Sequence, residues 1–108
     1  MHCDHLYGLD DYGLPTKGHR LSSIVLYMTD VEEGGGTAFP NLGFRTYAEA
    51  GSMLYWHAAH TNGEIDFRTS HGGCAAAYGL RWLGVRFIRQ FENFQTQKCS
   101  LKRGKWLI

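Results

Sequence analysis

The chain has 108 residues, of which 44% are hydrophobic and 14% aromatic, so it is long enough for one globular domain and too apolar to be disordered. Its formal net charge of +1 argues against binding to nucleic acid or to a charged membrane surface. No apolar run approaches the roughly 20 residues that a membrane-spanning helix needs. The three cysteines form no Cys-x-x-Cys pair, and their odd number leaves open either one disulfide or three reduced thiols.

The first stretch, residues 2–19, is polar and rich in turn-forming residues, which predicts a loop. His2 and Asp4 are separated by one residue, so on an extended segment both side chains project to the same face. A His-x-Asp pair is also common by chance in exposed terminal segments, and both interpretations stay open at this point. The segment has no signal-peptide pattern and starts beside a candidate ligand, so we expect a fragment that lacks its N-terminal part.

Several short apolar stretches bounded by turn residues predict β-strands. They cover residues 20–29, 37–40, 44–47, 52–57, 66–71 and 81–91. The acidic, glycine-rich run 30–36 predicts a turn and not a phosphate loop, because neither a lysine nor a helix follows it. In the last stretch Leu83, Val85 and Phe87 alternate with a second set of residues, which predicts a strand with one apolar face.

This pattern of short strands without a clear helix predicts an all-β sandwich or barrel. Jelly-roll barrels hold ligands in their mouths, so we expect a ligand site at one end. Residues 1–94 are predicted to form the folded domain. Residues 95–108 form a basic tail with little pattern, for which disorder is one interpretation.

The stretch with the most chemical content is 70–82, which has His71 near its start and Arg81 near its end with no charge between them. We expect a metal ligand and an anion clamp that face one cavity. With His2 and Asp4, His71 completes a two-histidine, one-carboxylate set, which is the ligand set of non-haem Fe(II) oxygenases. Arg81 would offer a two-pronged donor to the distal carboxylate of a 2-oxoacid, and Thr37 could share that carboxylate.

The sequence resembles the Fe(II)- and 2-oxoglutarate-dependent prolyl 4-hydroxylases, above all the catalytic region of animal collagen prolyl 4-hydroxylase α subunits. The resemblance lies in residues 20–40 (RLSSIVLYMTDVEEGGGTAFP), 51–56 (GSMLYW), 68–74 (RTSHGGC) and 79–82 (GLRW). It implies a double-stranded β-helix, or jelly-roll barrel, that is incomplete on its N-terminal side. The family has at least one further strand, and a tyrosine that contacts 2-oxoglutarate, before the position of His2.

The resemblance also implies roles for single residues. His2, Asp4 and His71 match the iron ligands. Arg81 matches the basic residue, usually lysine, that holds the distal carboxylate of 2-oxoglutarate, and Thr37 matches a threonine of the same pocket. Four positions depart from the family pattern. Arg81 replaces lysine, Gly36 stands where glutamate or alanine is common, Ala75 replaces a frequent proline, and Phe87 falls where the family often has tryptophan.

The two remaining family features are a disulfide and a compartment. Cys74 and Cys99 match two cysteines that are paired in collagen-type members, which implies the oxidising lumen of the endoplasmic reticulum. Such a bridge would contribute about 3 kcal/mol.

The implied activity is 4-hydroxylation of proline in collagen-like peptides, coupled to decarboxylation of 2-oxoglutarate to succinate and CO2. The implied cofactors are Fe(II), 2-oxoglutarate, O2 and L-ascorbate, and a partner subunit is a further expectation. One alternative is a truncated, inactive relative that acts as a binding module for a proline-rich strand or a partner subunit. Another is a jelly roll that binds zinc through His2, His5 and His71.

Overall fold

The computed structural model of the protein describes residues 1–4, 17–93 and 102. Within these residues the chain forms eight strands, two 3-10 turns and a short helix that spans Gln90–Asn93. The strands are β1 (Arg20–Tyr27), β2 (Glu33–Gly34), β3 (Thr37–Phe39), β4 (Phe44–Arg45), β5 (Met53–His57), β6 (Gly72–Gly73), β7 (Ala76–Tyr78) and β8 (Leu83–Arg89). The 3-10 turns are Pro40–Leu42 and Phe67–Thr69.

The strands pair in antiparallel fashion in three small sheets, ordered β5-β1-β8, β4-β3-β6 and β2-β7. Strand β1 is central in its sheet, and from Ser23 to Tyr27 its buried side chains alternate with less buried ones, as expected for a half-buried strand. The core contains Val25, Tyr27, Phe39, Ala48 and Trp56. This arrangement confirms the prediction of a mainly β, partial jelly-roll fold.

Five of the six predicted strands are present, although most are shorter than predicted. The strand predicted over 66–71 is wrong, because a 3-10 turn occupies Phe67–Thr69. The buried carboxylate of Asp66 accepts a hydrogen bond from the backbone N–H of Arg68 at 3.1 Å, and this cap competes with an extended backbone.

The acidic run 30–36, predicted as a turn, contains β2, which pairs with β7. The reason lies in close backbone contact that the local sequence does not reveal. Gly34 has a φ of +85°, and a Cβ atom there would lie 2.0 Å from the carbonyl oxygen of Ala75. A Cβ atom on Gly36 would lie 1.9 Å from the carbonyl oxygen of Thr46, so glycine is required here.

Across the described parts of the chain, no helix has both the length and the apolar character needed to cross a bilayer. The predicted tail, residues 95–108, lies outside the described residues except for Lys102, so the domain boundary at residue 94 stays a prediction.

Candidate metal centre

A backbone bridge brings the first residues of the chain to the middle of the sequence. The backbone N–H of His2 donates to the carbonyl of His71, and the N–H of His71 donates to the carbonyl of His2, each at 2.9 Å. Met1 lies beside Gly72, the next residue, where a Cβ atom would make an ordinary van der Waals contact with Met1 Cγ at 3.4 Å. The two imidazoles are therefore neighbours, with ring centroids 4.5 Å apart.

Three candidate donor groups converge at this bridge. The Nε2 atom of His2 lies 3.2 Å from Oδ1 of Asp4, and Nε2 of His71 lies 3.5 Å from the same oxygen. One donor atom from each residue can be chosen so that all three lie within 4.8 Å of one another. Asp4 and His71 are buried, whereas the His2 side chain is 61% exposed. A buried carboxylate that faces two imidazole nitrogens matches the donor set of a divalent transition metal.

Neighbouring groups orient two of these donors. Nδ1 of His71 lies 2.9 Å from the carbonyl oxygen of Thr69, and donation to that oxygen leaves the lone pair of Nε2 facing Asp4. The His71 ring also packs edge-on against Trp56, at a centroid distance of 4.7 Å. Oδ2 of Asp4 accepts a hydrogen bond from the Ser23 hydroxyl at 2.5 Å, so Oδ1 is the oxygen that faces the histidines.

The donor groups form one end of a cavity of about 170 Å³. It is lined by His2, Asp4, Val25, Thr37, Trp56, His71, Gly73, Arg81, Leu83, Val85 and Phe87. The apolar face predicted for the last strand thus forms one wall. The cavity combines metal-type donors, a guanidinium, a hydroxyl and an apolar lining.

The guanidinium of Arg81, which is the cationic group of the cavity, contacts the backbone of residues 73 and 74. Nη1 of Arg81 donates to the carbonyl of Cys74 at 2.9 Å, and a Cβ atom on Gly73 would lie 2.9 Å from Nη2. Glycine at position 73 therefore lets the guanidinium lie against the chain. The other N–H groups of Arg81 give it a forked donor suited to a carboxylate.

The hydroxyl of Thr37 belongs to a small buried network. Its Oγ1 lies 2.7 Å from the Tyr27 hydroxyl, which lies 2.8 Å from Oγ1 of Thr46. Oγ1 of Thr46 also accepts a hydrogen bond from the backbone N–H of Thr37, at 2.9 Å. The network fixes Thr37 from both its side chain and its backbone.

Comparison with known proteins finds relatives both in sequence and in structure. The chain is 33% identical over 90 residues to prolyl 4-hydroxylase subunit alpha-2 of Gallus gallus, and 29% identical over 84 residues to subunit alpha-1 of Homo sapiens. The structure of the viral collagen prolyl hydroxylase of Paramecium Bursaria Chlorella virus-1, solved as its 2OG complex, superposes with a TM-score of 0.65 at 26% identity.

The chain belongs to the prolyl 4-hydroxylase family. The match to the chicken subunit covers 83% of this chain and 17% of that subunit, and the match to the human subunit covers 78% and 16%. The chain therefore spans about a sixth of the length of these curated relatives. The match to the viral enzyme covers 79% of this chain and 49% of the viral one. No family model matches the chain.

The sequence prediction for this prolyl 4-hydroxylase family member named five site residues, and the structure brings all five to one cavity. These residues are His2, Asp4, His71, Arg81 and Thr37. Their roles as iron ligands and 2-oxoglutarate contacts remain proposals. Cys74 is half-buried and forms no disulfide among the described residues, while Cys99 and His5 lie outside them, so the disulfide and the His5 zinc ligand stay predictions.

Sequence reasoning missed the residues that support the site, namely Ser23, Tyr27 and Thr46. A signal for the first two was available, because in β1 they alternate with outward residues and share the inward face with Val25. Nothing local marks Thr46, whose contact with Thr37 depends on the pairing of β3 and β4.

A second histidine pair, His57 and His60, lies outside the cavity. Oδ1 of Asp66 lies 4.0 Å from Nε2 of His60. Arg68, however, already engages both oxygens of Asp66, each at 2.9 Å. Burial would raise the pKa of Asp66, but its hydrogen bonds and ion pair with Arg68 hold that pKa below its usual range. Burial lowers the pKa of His57, and Asp66 opposes that change.

Proposed function

We propose that this chain carries the catalytic site of an Fe(II)- and 2-oxoglutarate-dependent dioxygenase that hydroxylates peptidyl proline at C4. The observation that carries the proposal is the presence of His2, Asp4 and His71 in one cavity with Arg81. The reaction would convert 2-oxoglutarate and O2 to succinate and CO2 as the proline is hydroxylated.

The metal would be held by Nε2 of His2, Oδ1 of Asp4 and Nε2 of His71. The donor set fits Fe(II), because neutral imidazoles and one carboxylate leave positions open for other ligands. Bound iron supplies the activation of O2, while the chain contributes the orientation of the donors. In that role the Thr69 carbonyl fixes the His71 tautomer and Phe39 packs against its ring, at a centroid distance of 5.4 Å.

The cosubstrate would lie between the metal donors and Arg81. The guanidinium and the Thr37 hydroxyl would bind its distal carboxylate, which is the group that separates 2-oxoglutarate from shorter 2-oxoacids. The side chains of Leu83 and Val85 line the same cavity and would contact the carbon chain.

The peptide substrate would approach from the side of His2. His71 and Asp4 are enclosed, whereas the His2 side chain is largely exposed, so the metal donors open to solvent in that direction. A proline-containing, collagen-like peptide is the substrate class suggested by the relatives' names. We further propose L-ascorbate as the reductant that maintains ferrous iron, and a partner subunit in the complete enzyme.

The activity is tested by release of CO2 from 2-oxoglutarate labelled at C1, measured with Fe(II), ascorbate and a proline-rich peptide. We expect release from the wild-type chain and none from His71→Ala or Asp4→Ala, with hydroxyproline formed in the peptide. His60→Ala is the matched control, because this histidine also faces a buried aspartate but lies outside the cavity. Peptide binding by the metal-free protein without any CO2 release would instead favour the binding-module alternative.

The proposed location is the lumen of the endoplasmic reticulum, and it is tied to the predicted Cys74–Cys99 disulfide. Peptide mapping by mass spectrometry without reduction is expected to find these two cysteines in one cross-linked fragment. Detection of both as free thiols in protein isolated from that lumen would contradict the pairing.

A further inference from the structure

Ser23 is a polar residue at the centre of the largest sheet. It is fully enclosed, and it pairs with Trp56 of β5 on one side and with Phe87 of β8 on the other. Its inward neighbour on β1, Val25, lines the cavity. A buried hydroxyl needs a hydrogen-bond partner, and Ser23 finds it in Oδ2 of Asp4 at 2.5 Å, nineteen residues away in sequence.

Because of this contact, the two carboxylate oxygens of Asp4 have different partners. Oδ2 is engaged by the Ser23 hydroxyl, whereas Oδ1 faces both imidazoles, at 3.2 and 3.5 Å. We infer that Ser23 is a positioning residue that makes Asp4 bind metal through Oδ1 alone. The inference rests on the proposed metal centre and adds to it a determinant of coordination number.

The consequence concerns the number of open coordination positions. Three single-atom protein ligands leave three positions on an octahedral ion, which suffice for a bidentate 2-oxoacid and one O2 molecule. Carboxylates can also bind metals through both oxygens. If Oδ2 were released, Asp4 could occupy a fourth position and leave too few for both cosubstrates. The hydrogen bond from Ser23 to Oδ2 of Asp4 would therefore keep free a coordination position that the cosubstrates need.

Ser22 provides a matched control on the same strand. It is buried, with 2% of its surface exposed, but adjacent residues in a strand point to opposite faces, and among the described residues the hydroxyl that Asp4 accepts from is that of Ser23. Ser22→Ala therefore repeats the chemical change of Ser23→Ala away from the metal donors. Ser23→Thr keeps the hydroxyl and suits a strand, so it tests whether the donor itself matters.

The experiment measures binding of Mn(II) alone by titration calorimetry, and counts the water molecules on the bound ion by water-proton relaxation. For Ser23→Ala we expect affinity to fall by about 10- to 100-fold, and fewer waters on the ion than in the wild type. Ser23→Thr is expected to keep both properties, with an affinity within about threefold of the wild type, and Ser22→Ala to change neither. Circular dichroism confirms that each variant is folded.

The inference is overturned if Ser23→Ala binds Mn(II) as the wild type does, or binds it more weakly with an unchanged water count, which would make Ser23 merely structural. Loss of affinity in Ser23→Thr equal to that in Ser23→Ala would also overturn it. Absence of Mn(II) binding by the wild-type chain is a different result, because it would contradict the metal centre itself and the inference with it.

Discussion

Within the described part of the chain, two buried aspartates face histidines, and they differ in how their charge is compensated. Both carboxylate oxygens of Asp66 accept hydrogen bonds from the Arg68 guanidinium, each at 2.9 Å, and Nε2 of His60 lies 4.0 Å from Oδ1. Asp4 has two imidazole nitrogens within 3.5 Å of Oδ1, and Nη1 of Arg20 stays 4.0 Å from that oxygen. A buried carboxylate without a close guanidinium is the kind that a metal ion can neutralise.

Arg20 illustrates the difference. Its guanidinium lies over the Phe87 ring at 3.7 Å from the centroid, a cation–π contact, while its Nη1 atom lies 4.0 Å from Oδ1 of Asp4. The same two residue types, arginine and aspartate, therefore form a two-pronged ion pair at 2.9 Å in one place and a longer contact at 4.0 Å in the other. Residue content alone does not separate a metal site from a structural one; the position of the nearest guanidinium does.

The largest expected effect comes from exchanging each aspartate for its amide. Asp4→Asn should lower Mn(II) affinity by more than about 100-fold, because it removes the charged ligand. Asp66→Asn should leave that affinity within about threefold of the wild type, because this residue lies outside the cavity. Calorimetric titration of both variants checks the contrast. Equal losses in the two would show that the regions do not differ as described.

Arg81→Ala tests the anion-binding part of the cavity that contains Asp4. Loss of a charged, forked contact of about 1.5–3 kcal/mol should raise the Kd for 2-oxoglutarate by roughly 10- to 100-fold in the Mn(II)-loaded protein. Binding of 2-oxobutanoate, which lacks the distal carboxylate, should change little. Arg81→Lys keeps the charge and should lose less. An equal loss for both 2-oxoacids would contradict a role in holding the distal carboxylate.

Arg68→Ala tests the ion pair between Arg68 and Asp66. We expect the free energy of unfolding to fall by about 2 kcal/mol at pH 7, because Asp66 loses charged hydrogen bonds while it stays buried. The folded-state pKa of Asp66 is lowered, so its contribution is complete above the unfolded value of about 3.9 and is lost as pH falls through the lower folded value. Urea unfolding at several pH values should therefore show the difference between variant and wild type shrinking in acid. A difference that grew in acid would refute this assignment.

Phe87→Leu gives the smallest expected effect and tests whether the Phe87 ring limits the approach of Arg20 to Asp4. Removal of the ring would release Arg20 to pair more closely with Asp4, so Mn(II) affinity should fall by about two- to fivefold, the equivalent of a cation–π contact of about 0.5–1 kcal/mol. Phe87→Trp retains an aromatic face and should preserve the affinity. If the leucine variant bound Mn(II) more tightly, Arg20 would not be a competitor for Asp4.

The sequence was sufficient for the elements whose patterns are local. The β-branched run of β1, the alternation of β8 and the proline after Phe39 each predicted a strand that the structure contains. The convergence of His2 with His71 followed only from the pattern of donor types and from the family resemblance. Strand pairing decides such convergence, and no local propensity encodes it.

The errors and omissions share one physical source, which is contact between residues distant in sequence. β7 forms because Gly34 lets the Ala75 carbonyl approach its backbone, and Thr46 supports Thr37 because β3 pairs with β4. The failed strand at 66–71 is the exception, since the Asp66 cap is local and could have been recognised from an aspartate two residues before an arginine.

The most direct test of the account is anomalous diffraction from crystals soaked in Mn(II) without oxygen. The account predicts one strong anomalous peak bonded to Nε2 of His2, Oδ1 of Asp4 and Nε2 of His71, in the cavity that also contains Arg81. A peak located elsewhere, or a structure in which the first four residues lie away from His71 and no metal binds between them, would contradict the central claim.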